Sequence, residues 1–391
     1  MVNGPVMASA NLRWRRRHFL QAAGIGGALG IAGRRKAHAQ DAAARLRKTV
    51  YGWFPAHFGS WETSAIQWDA LTHICFRSVV INGDGSVSRP AGNPPRAFVD
   101  AAHQHGVRVC VLVWVNMQQD SDSYLANYRQ QAAQNLLAYV RDNGLDGVAY
   151  DDERWTAANG PLMSQFLQTL SRTFKDANPD YHLAFAAPPV ISANDRYGVN
   201  WFDWPAAAEA VDAIVPMLYT ANPPSIGWTT SPEPLAGSQP TQRTVARDIV
   251  TLMADYYEAV AGRRDKLLLG VSAFPWPGYE FRCRTPERLS PILERGVSRP
   301  LDYLEAQARK YGKRRDWKQQ AAWYVYQDGD QFVQGWYDDE QSWAAKLDYV
   351  NQEELGGVGI WVLDGASDAP AMWDLLRAAF GPVKPRGEEI A

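Results

Sequence analysis

Gly144-Leu-Asp-Gly-Val-Ala-Tyr-Asp-Asp-Glu-Arg-Trp155 is the stretch on which the reading of this chain turns. A short apolar run, Gly147 to Asp151, leads into two carboxylates, Asp151 and Glu153, spaced two residues apart. In an extended strand residues i and i+2 project from the same face, with side chains about 7 Å apart. Ala149, Asp151 and Glu153 therefore share one face, and Val148 and Tyr150 the other. Two carboxyls facing one partly desolvated pocket resist ionising together, so one proton is held to higher pH than a free Glu holds it. A general acid working near neutral pH needs this property. The same pattern also describes a solvated strand end or a helix N-cap, so the rest of the chain has to decide between them.

Working outward, apolar runs of strand length recur at Thr49–Phe54, His73–Ile81, Val107–Val115, Gly147–Asp151, His182–Ala187, Ala213–Tyr219, Leu267–Ala273 and Gly357–Leu363. Between them lie amphipathic stretches such as Pro95–His105, Tyr124–Asn143, Leu162–Asp176, Thr241–Val260 and Glu340–Glu354. Strands apolar on both faces and alternating with helices indicate a parallel sheet. Eight such units predict an α/β fold of the closed (β/α)8 TIM barrel type, spanning residues 46–382. In such barrels the active site lies at the carboxyl ends of the strands, where Asp151 and Glu153 end the fourth run. No G-x-G-x-x-G follows the first run, which counts against a dinucleotide-binding fold. The one oversized connection, residues 274–339, follows the seventh run. It opens with Phe274-Pro-Trp-Pro-Gly-Tyr279, passes through a charged helical stretch, and from Trp323 to Trp336 reads as a hairpin able to wall a substrate cleft.

Residues 1–39 read as a twin-arginine export signal: Arg16-Arg-His-Phe-Leu20, a short glycine-rich apolar stretch, then Ala37-His-Ala39 as the cleavage site. A membrane span needs about 20 apolar residues, more than this stretch offers. The expected location is periplasmic or secreted. Removal of the signal leaves 33 Lys and Arg against 42 Asp and Glu, a net charge of −9. Such a chain has no basic stripe for nucleic acid, and after cleavage no membrane partner is expected. Cys75, Cys110 and Cys283 lack metal-ligand spacing, and the first two sit in apolar runs as buried thiols. His57, His103, His105 and His182 show no ligand pairing, so neither metal nor cofactor is expected. The 16 Trp and 17 Tyr exceed what packing usually uses, and sugar faces stack on such rings.

Three strings together resemble glycoside hydrolase family 18, the family of chitinases and endo-β-N-acetylglucosaminidases. Asp146 to Glu153 resembles its fourth-strand signature D-G-x-D-x-D-x-E, Met217-Leu-Tyr219 its M-x-Y, and Gly356-Gly-Val-Gly-Ile-Trp361 its G-G-x-x-x-W. Phe274 to Cys283, then Trp336 to Ser342 with Lys346 and Tyr349, is similar to the di-N-acetylchitobiase branch. The resemblance implies an N-acetylglucosamine-containing oligosaccharide as substrate and substrate-assisted retention as mechanism. Glu153 is then the acid/base, Asp151 the group that steadies the acetamido N–H, and Tyr219 the donor to the acetamido oxygen. Trp361 is the implied floor under the cleaved sugar, with Met217, Trp53, Trp114, Trp276 and Tyr279 as further substrate contacts.

The chain departs from the family pattern in a coherent way. Ala149 stands where the signature has its first Asp, the third run reads Val111-Leu-Val-Trp-Val115 without a serine, and Trp53 replaces a common Tyr. Thr220 follows Tyr219 where many chitinases have Asp. Asp152 is an extra acid, with an ion pair to Arg154 or a loop cap as its alternatives. Ala149 also admits a binder that does not cleave, a family-18-like lectin, and the cell-wall branches of the family admit a peptidoglycan hydrolase.

Overall fold

The computed structural model describes residues 46–54, 66–90, 92–191, 201–220, 222–238, 247–274, 276–363 and 370–382. The expected export signal, His57 and the residues after 382 lie outside them.

Eight strands lie parallel: β1 (Thr49–Phe54), β2 (His73–Ile81), β4 (Arg108–Trp114), β5 (Gly147–Asp151), β6 (His182–Ala187), β7 (Ala213–Pro216), β8 (Leu268–Ser272) and β14 (Gly357–Trp361). Their order, β7-β6-β5-β4-β2-β1-β14-β8, is completed by a parallel bridge from Ile214 to Leu267, which closes the ring. A two-residue strand, β3 (Val87–Ser88), pairs antiparallel with β2 outside it. The eight expected strands are all present, and the expected (β/α)8 TIM barrel is the fold. The sixth is shorter than its apolar run: after Pro216 the chain tightens into a single 3-10 turn, Leu218–Thr220, which carries Tyr219 onto the barrel mouth.

The surrounding helices are α1 (Arg96–Gln104), α2 (Gln118–Asn127), α3 (Arg129–Asp142), α4 (Gly160–Ala177), α5 (Trp204–Ala210), α6 (Ile249–Ala259), α8 (Glu340–Gln352) and α9 (Pro370–Phe380). The stretch Tyr124–Asn143, expected as one helix, is two. At Tyr128 the backbone leaves the helical region (φ −130°, ψ 22°), and α2 and α3 meet there. Residues pointing outward from the strands, Val109, Val111, Val113, Val148 and Tyr150 among them, pack with the inner faces of the helices in one continuous core. Residues pointing inward form a second, smaller core of Tyr51, Trp53, Cys75, Cys110, Leu112, Ala149, Ala184, Ala213, Val215 and Leu268. At the amino ends of the strands Tyr51 stacks on His73 at 5.3 Å between ring centroids, and His73 meets His182 at 4.1 Å.

The insertion between β8 and α8 is a five-stranded antiparallel sheet, in the order β10 (Val297–Arg299), β9 (Gly278–Cys283), β13 (Gln331–Tyr337), β12 (Ala321–Asp328) and β11 (Arg314–Asp316). The hairpin expected near Trp323–Trp336 is β12–β13, paired from Ala322–Tyr337 to Asp328–Gln331. Period-2 alternation gives the sheet two apolar faces. Trp323 and Trp336 stack on one at 5.0 Å, while Tyr324 and Tyr337 lie on the other with Leu304 and Ala308 of α7 (Leu301–Tyr311).

Candidate active site

Asp151 is the last residue of β5 and is buried, 3% exposed, next to Trp114 at the end of β4. Among the described residues its Oδ1 meets no hydrogen-bond partner. Burial first, then the charges of Glu153 and Asp152, push its carboxyl well above the ordinary range. Glu153, two residues on, reaches solvent. Its carboxyl is raised chiefly by desolvation, with Asp152 adding to the effect and Arg154 opposing it. The strand ends at Asp151, so Glu153 stands on the turn that follows rather than on the strand face, and both carboxyls are raised at the barrel mouth.

Tyr219 and Trp361 complete the wall. Their rings lie parallel, 6° apart in plane and 6.2 Å between centroids. The Tyr219 hydroxyl is raised by burial and then by the charges of Asp151, Glu153 and Glu233. Trp361 ends β14 opposite Ser272 of β8, and the Trp361–Val362 peptide is cis. The mouth thus joins an acid, a buried acceptor without a donor, a phenol and an indole face. Such a set can protonate a leaving oxygen, hold an amide N–H and pack a sugar ring.

The other sequence-derived contacts divide. Trp114 is partly exposed beside Asp151, and Trp276 is 38% exposed at the start of the insertion. Tyr279 is half-buried on β9, edge-on to Phe281 at 5.8 Å, with Glu233 and Arg295 acting on its hydroxyl. Met217 is buried under the turn that bears Tyr219, its N–H donating to the Ala187 carbonyl. Trp53 is 3% exposed and sits in the inner core rather than on the open cleft. Gly359 is what admits it: a Cβ there would lie 2.9 Å from the Trp53 ring and 2.5 Å from Val215 Cγ1. The space left at Gly359 is filled by Trp53 and Val215. Trp155 is also buried and packs in the outer core.

Asp152 is a loop cap rather than an ion pair: its Oδ1 accepts the Arg154 backbone N–H at 2.9 Å. Among the described residues no three His, Cys, Asp or Glu side chains converge as metal ligands. His103 pairs with Asp146 at 2.8 Å, and His105 stacks on Trp68 at 5.8 Å.

One cluster beside the site was not anticipated. Lys346 of α8, 2% exposed, donates to Glu233 Oε2 at 2.8 Å and to Asp338 Oδ2. Glu233 Oε1 accepts the Ser272 N–H at 3.1 Å, and Asp338 Oδ1 the Ser231 hydroxyl at 3.0 Å. The lysine ties the insertion, through Asp338, to the wall that faces Tyr219. Its helical position carried the signal: Trp343, Lys346, Leu347 and Val350 share one buried face.

A barrel with paired carboxyls at the end of its fourth parallel strand and an aromatic wall opposite has the layout of a carbohydrate-cleaving enzyme. The chain belongs to glycosyl hydrolases family 18, whose model matches residues 54–366, and is a glycoside hydrolase. It is 24% identical to di-N-acetylchitobiase of Mus musculus over 310 residues, 73% of this chain and 78% of that one. Among solved structures it is similar to a family 18 chitinase from Cycas revoluta in complex with (GlcNAc)3, with a TM-score of 0.67, 18% identity, and 85% of this chain and 99% of that one covered. It is also similar to the spore cortex-lytic enzyme of Bacillus megaterium, with a TM-score of 0.63, 18% identity, and 86% and 75% covered.

Proposed function

We propose that this protein is an exported glycosidase that hydrolyses β-linked N-acetylglucosamine in chito-oligosaccharides or N-glycan cores by substrate-assisted retention. The observation that carries this reading is the buried Oδ1 of Asp151, an acceptor without a donor, set beside the protonatable Glu153. Burying such an oxygen unpaired costs roughly 1–3 kcal/mol, and an acetamido N–H from the substrate satisfies it. Glu153 protonates the glycosidic oxygen while the acetamido oxygen attacks the anomeric carbon. This breaks the glycosidic bond and leaves an oxazolinium ion. Asp151 steadies its N–H and positive charge, Tyr219 donates to its oxygen, and Glu153, now a base, takes a proton from the water that opens it. The parallel rings of Tyr219 and Trp361 support a sugar at the cleavage point, with Trp114, Trp276 and Tyr279 as contacts further along. The relatives named di-N-acetylchitobiase and the (GlcNAc)3 complex agree with this substrate class.

Hydrolysis of fluorogenic chitobiose and chitotriose glycosides from pH 4 to 8, by the chain from residue 40 onward and by its Glu153→Gln variant, tests the reading. Turnover abolished in the variant with binding kept is the expected result, and undiminished turnover sinks it. Release from purified peptidoglycan but not from chito-oligosaccharides moves the substrate to the cell wall, and binding without turnover leaves a lectin. Export rests on the Arg16-Arg17 string and is tested by fractionating cells that carry Arg16→Lys/Arg17→Lys.

A further inference from the structure

The two carboxyls of the site share an unusual property: neither is held by a hydrogen bond from another side chain among the described residues. Their aim depends on the backbone that carries them, and that backbone is fastened at the residue between them. Asp152 points away from the mouth into the outer core and is fully buried. Its Oδ2 accepts the Ser121 hydroxyl at 2.7 Å and the Tyr124 hydroxyl at 3.0 Å, both from α2. Tyr150 of β5 lies with its hydroxyl 3.3 Å from the same oxygen and 2.5 Å from that of Tyr124. The other oxygen takes the Arg154 N–H. The Arg154 carbonyl in turn accepts Gln118 Nε2 at 3.0 Å and Asn159 Nδ2 at 2.8 Å. The turn from Asp152 to Arg154 is therefore pinned to β5, α2 and the start of α4, and Glu153 stands at its apex.

We propose that Asp152 is the positioning residue of this site: its buried carboxylate clamps the turn that aims Glu153 and sets a fixed negative charge behind it. This rests on the reading of Glu153 as acid/base. Hydroxyl and N–H donors on both oxygens make the anion the form this nest is built to hold. Burial pulls the other way and raises the Asp152 carboxyl. The charged and titratable groups around the pair come from each packed element. β5 supplies Tyr150 and Asp151, α2 supplies Tyr124 and Asp122, the turn supplies Arg154, and the opposite wall supplies Tyr219. Asp122 is occupied by Gln118 and Asn159, and α4 meets both tyrosine rings with the uncharged Phe166. Arg154 favours loss of the Glu153 proton and Asp152 opposes it. The clamp thus has two effects: it fixes where the acid points and helps it keep its proton.

The decisive experiment is a ¹³C titration of the Glu153 side-chain carboxyl in glutamate-labelled protein, the resonance assigned by its loss in Glu153→Gln. Asp152→Asn, which keeps shape and loses charge, is expected to move the midpoint to lower pH; a midpoint at the wild-type value overturns the proposal. Tyr124→Phe, which keeps the charge and removes one donor, is expected to leave it closer to wild type than Asp152→Asn does. On the fluorogenic chitotrioside the alkaline limb of kcat/KM should follow the midpoint. Asp152→Leu, which releases the turn, should lower kcat by up to about 100-fold with a smaller change in KM. A shifted midpoint in proteins that cleave none of the sugars leaves this inference standing and removes the proposed function instead.

Discussion

Replacing Lys346 with Met removes the cation from a site where two carboxylates remain. In the native chain the ammonium is 2% exposed and lies 2.8 Å from Glu233, whose residue is 4% exposed, with Asp338 on its other side. Burial disfavours the ammonium, but the two carboxylates outweigh it and hold Lys346 above its ordinary value. Desolvation raises Asp338, Lys346 lowers it, and Glu233 adds to the rise. Breaking a buried pair by removing one partner costs about 3–5 kcal/mol, because the orphaned charge stays in low dielectric. For a folded unit of roughly 350 residues, that is a fall in Tm of about 4–7 °C. The sign with pH follows from the carboxyls. Without the lysine the folded-state value of Asp338, already raised by burial, rises further above that of the unfolded chain, so the variant loses stability as pH increases. Urea denaturation followed by circular dichroism at pH 5 and pH 8 should show the larger deficit at pH 8. The triple variant Lys346→Met/Glu233→Gln/Asp338→Asn should recover most of it. A loss under about 1 kcal/mol in Lys346→Met, or a deficit equal at both pH values, would refute the reasoning.

His182 stands buried against His73, and desolvation, with Arg108 and Lys175 adding to it, lowers its imidazole to about 3. An imidazole that titrates near 6.5 when unfolded and about 3 when folded costs stability as pH falls through that window, about 2 kcal/mol between pH 7 and pH 5. His182→Leu should flatten this acid limb, measured as urea midpoint against pH, and a limb of unchanged slope would contradict it. Asp151→Asn should abolish hydrolysis and yet stabilise the protein at neutral pH. The native carboxyl is raised in the fold, so its penalty is absent below pH 4 and grows as pH climbs toward its folded value. Melting curves of the two proteins that diverge at pH 4 rather than pH 7 would count against that account.

The barrel was legible because its strands are buried on both faces, so β1, β2, β5 and β6 stand out in the sequence as largely apolar runs with the bounds the structure has. Helix ends and breaks were less visible. The split at Tyr128 follows from backbone angles that no periodicity encodes, and the alanine-rich α5 is too short to build a pattern. At the site, Asp151 and Glu153 are legible from their spacing once the strands around them are read, since the end of one strand and the turn after it bring them together. Residues whose setting depends on distant parts of the chain were not. The setting of Trp53, an implied substrate contact, depends on Gly359, which the last strand brings against its ring. Asp152 looks like surplus charge until Ser121 and Tyr124 fold over it. The Lys346 cluster joins residues from three separate segments, and only the helical phase of the lysine pointed inward.

The pairing of β1 with β14, in register from Thr49–Gly357 to Gly52–Ile360, also bears on synthesis. One side of β1 can bind β2 as soon as both have left the ribosome, but its other edge waits for a partner encoded roughly 300 residues later. At about 5–20 residues per second this is on the order of 15–60 s. Through that interval the nascent chain presents an unpaired apolar strand, a template for mispairing with a neighbouring chain. The insertion lengthens the wait, because all of β9 to β13 must be made between the seventh strand and the one that closes the ring. The interval is set by chain order, so a circular permutant opened in the loop before β8 should shorten it while keeping every contact of the finished barrel.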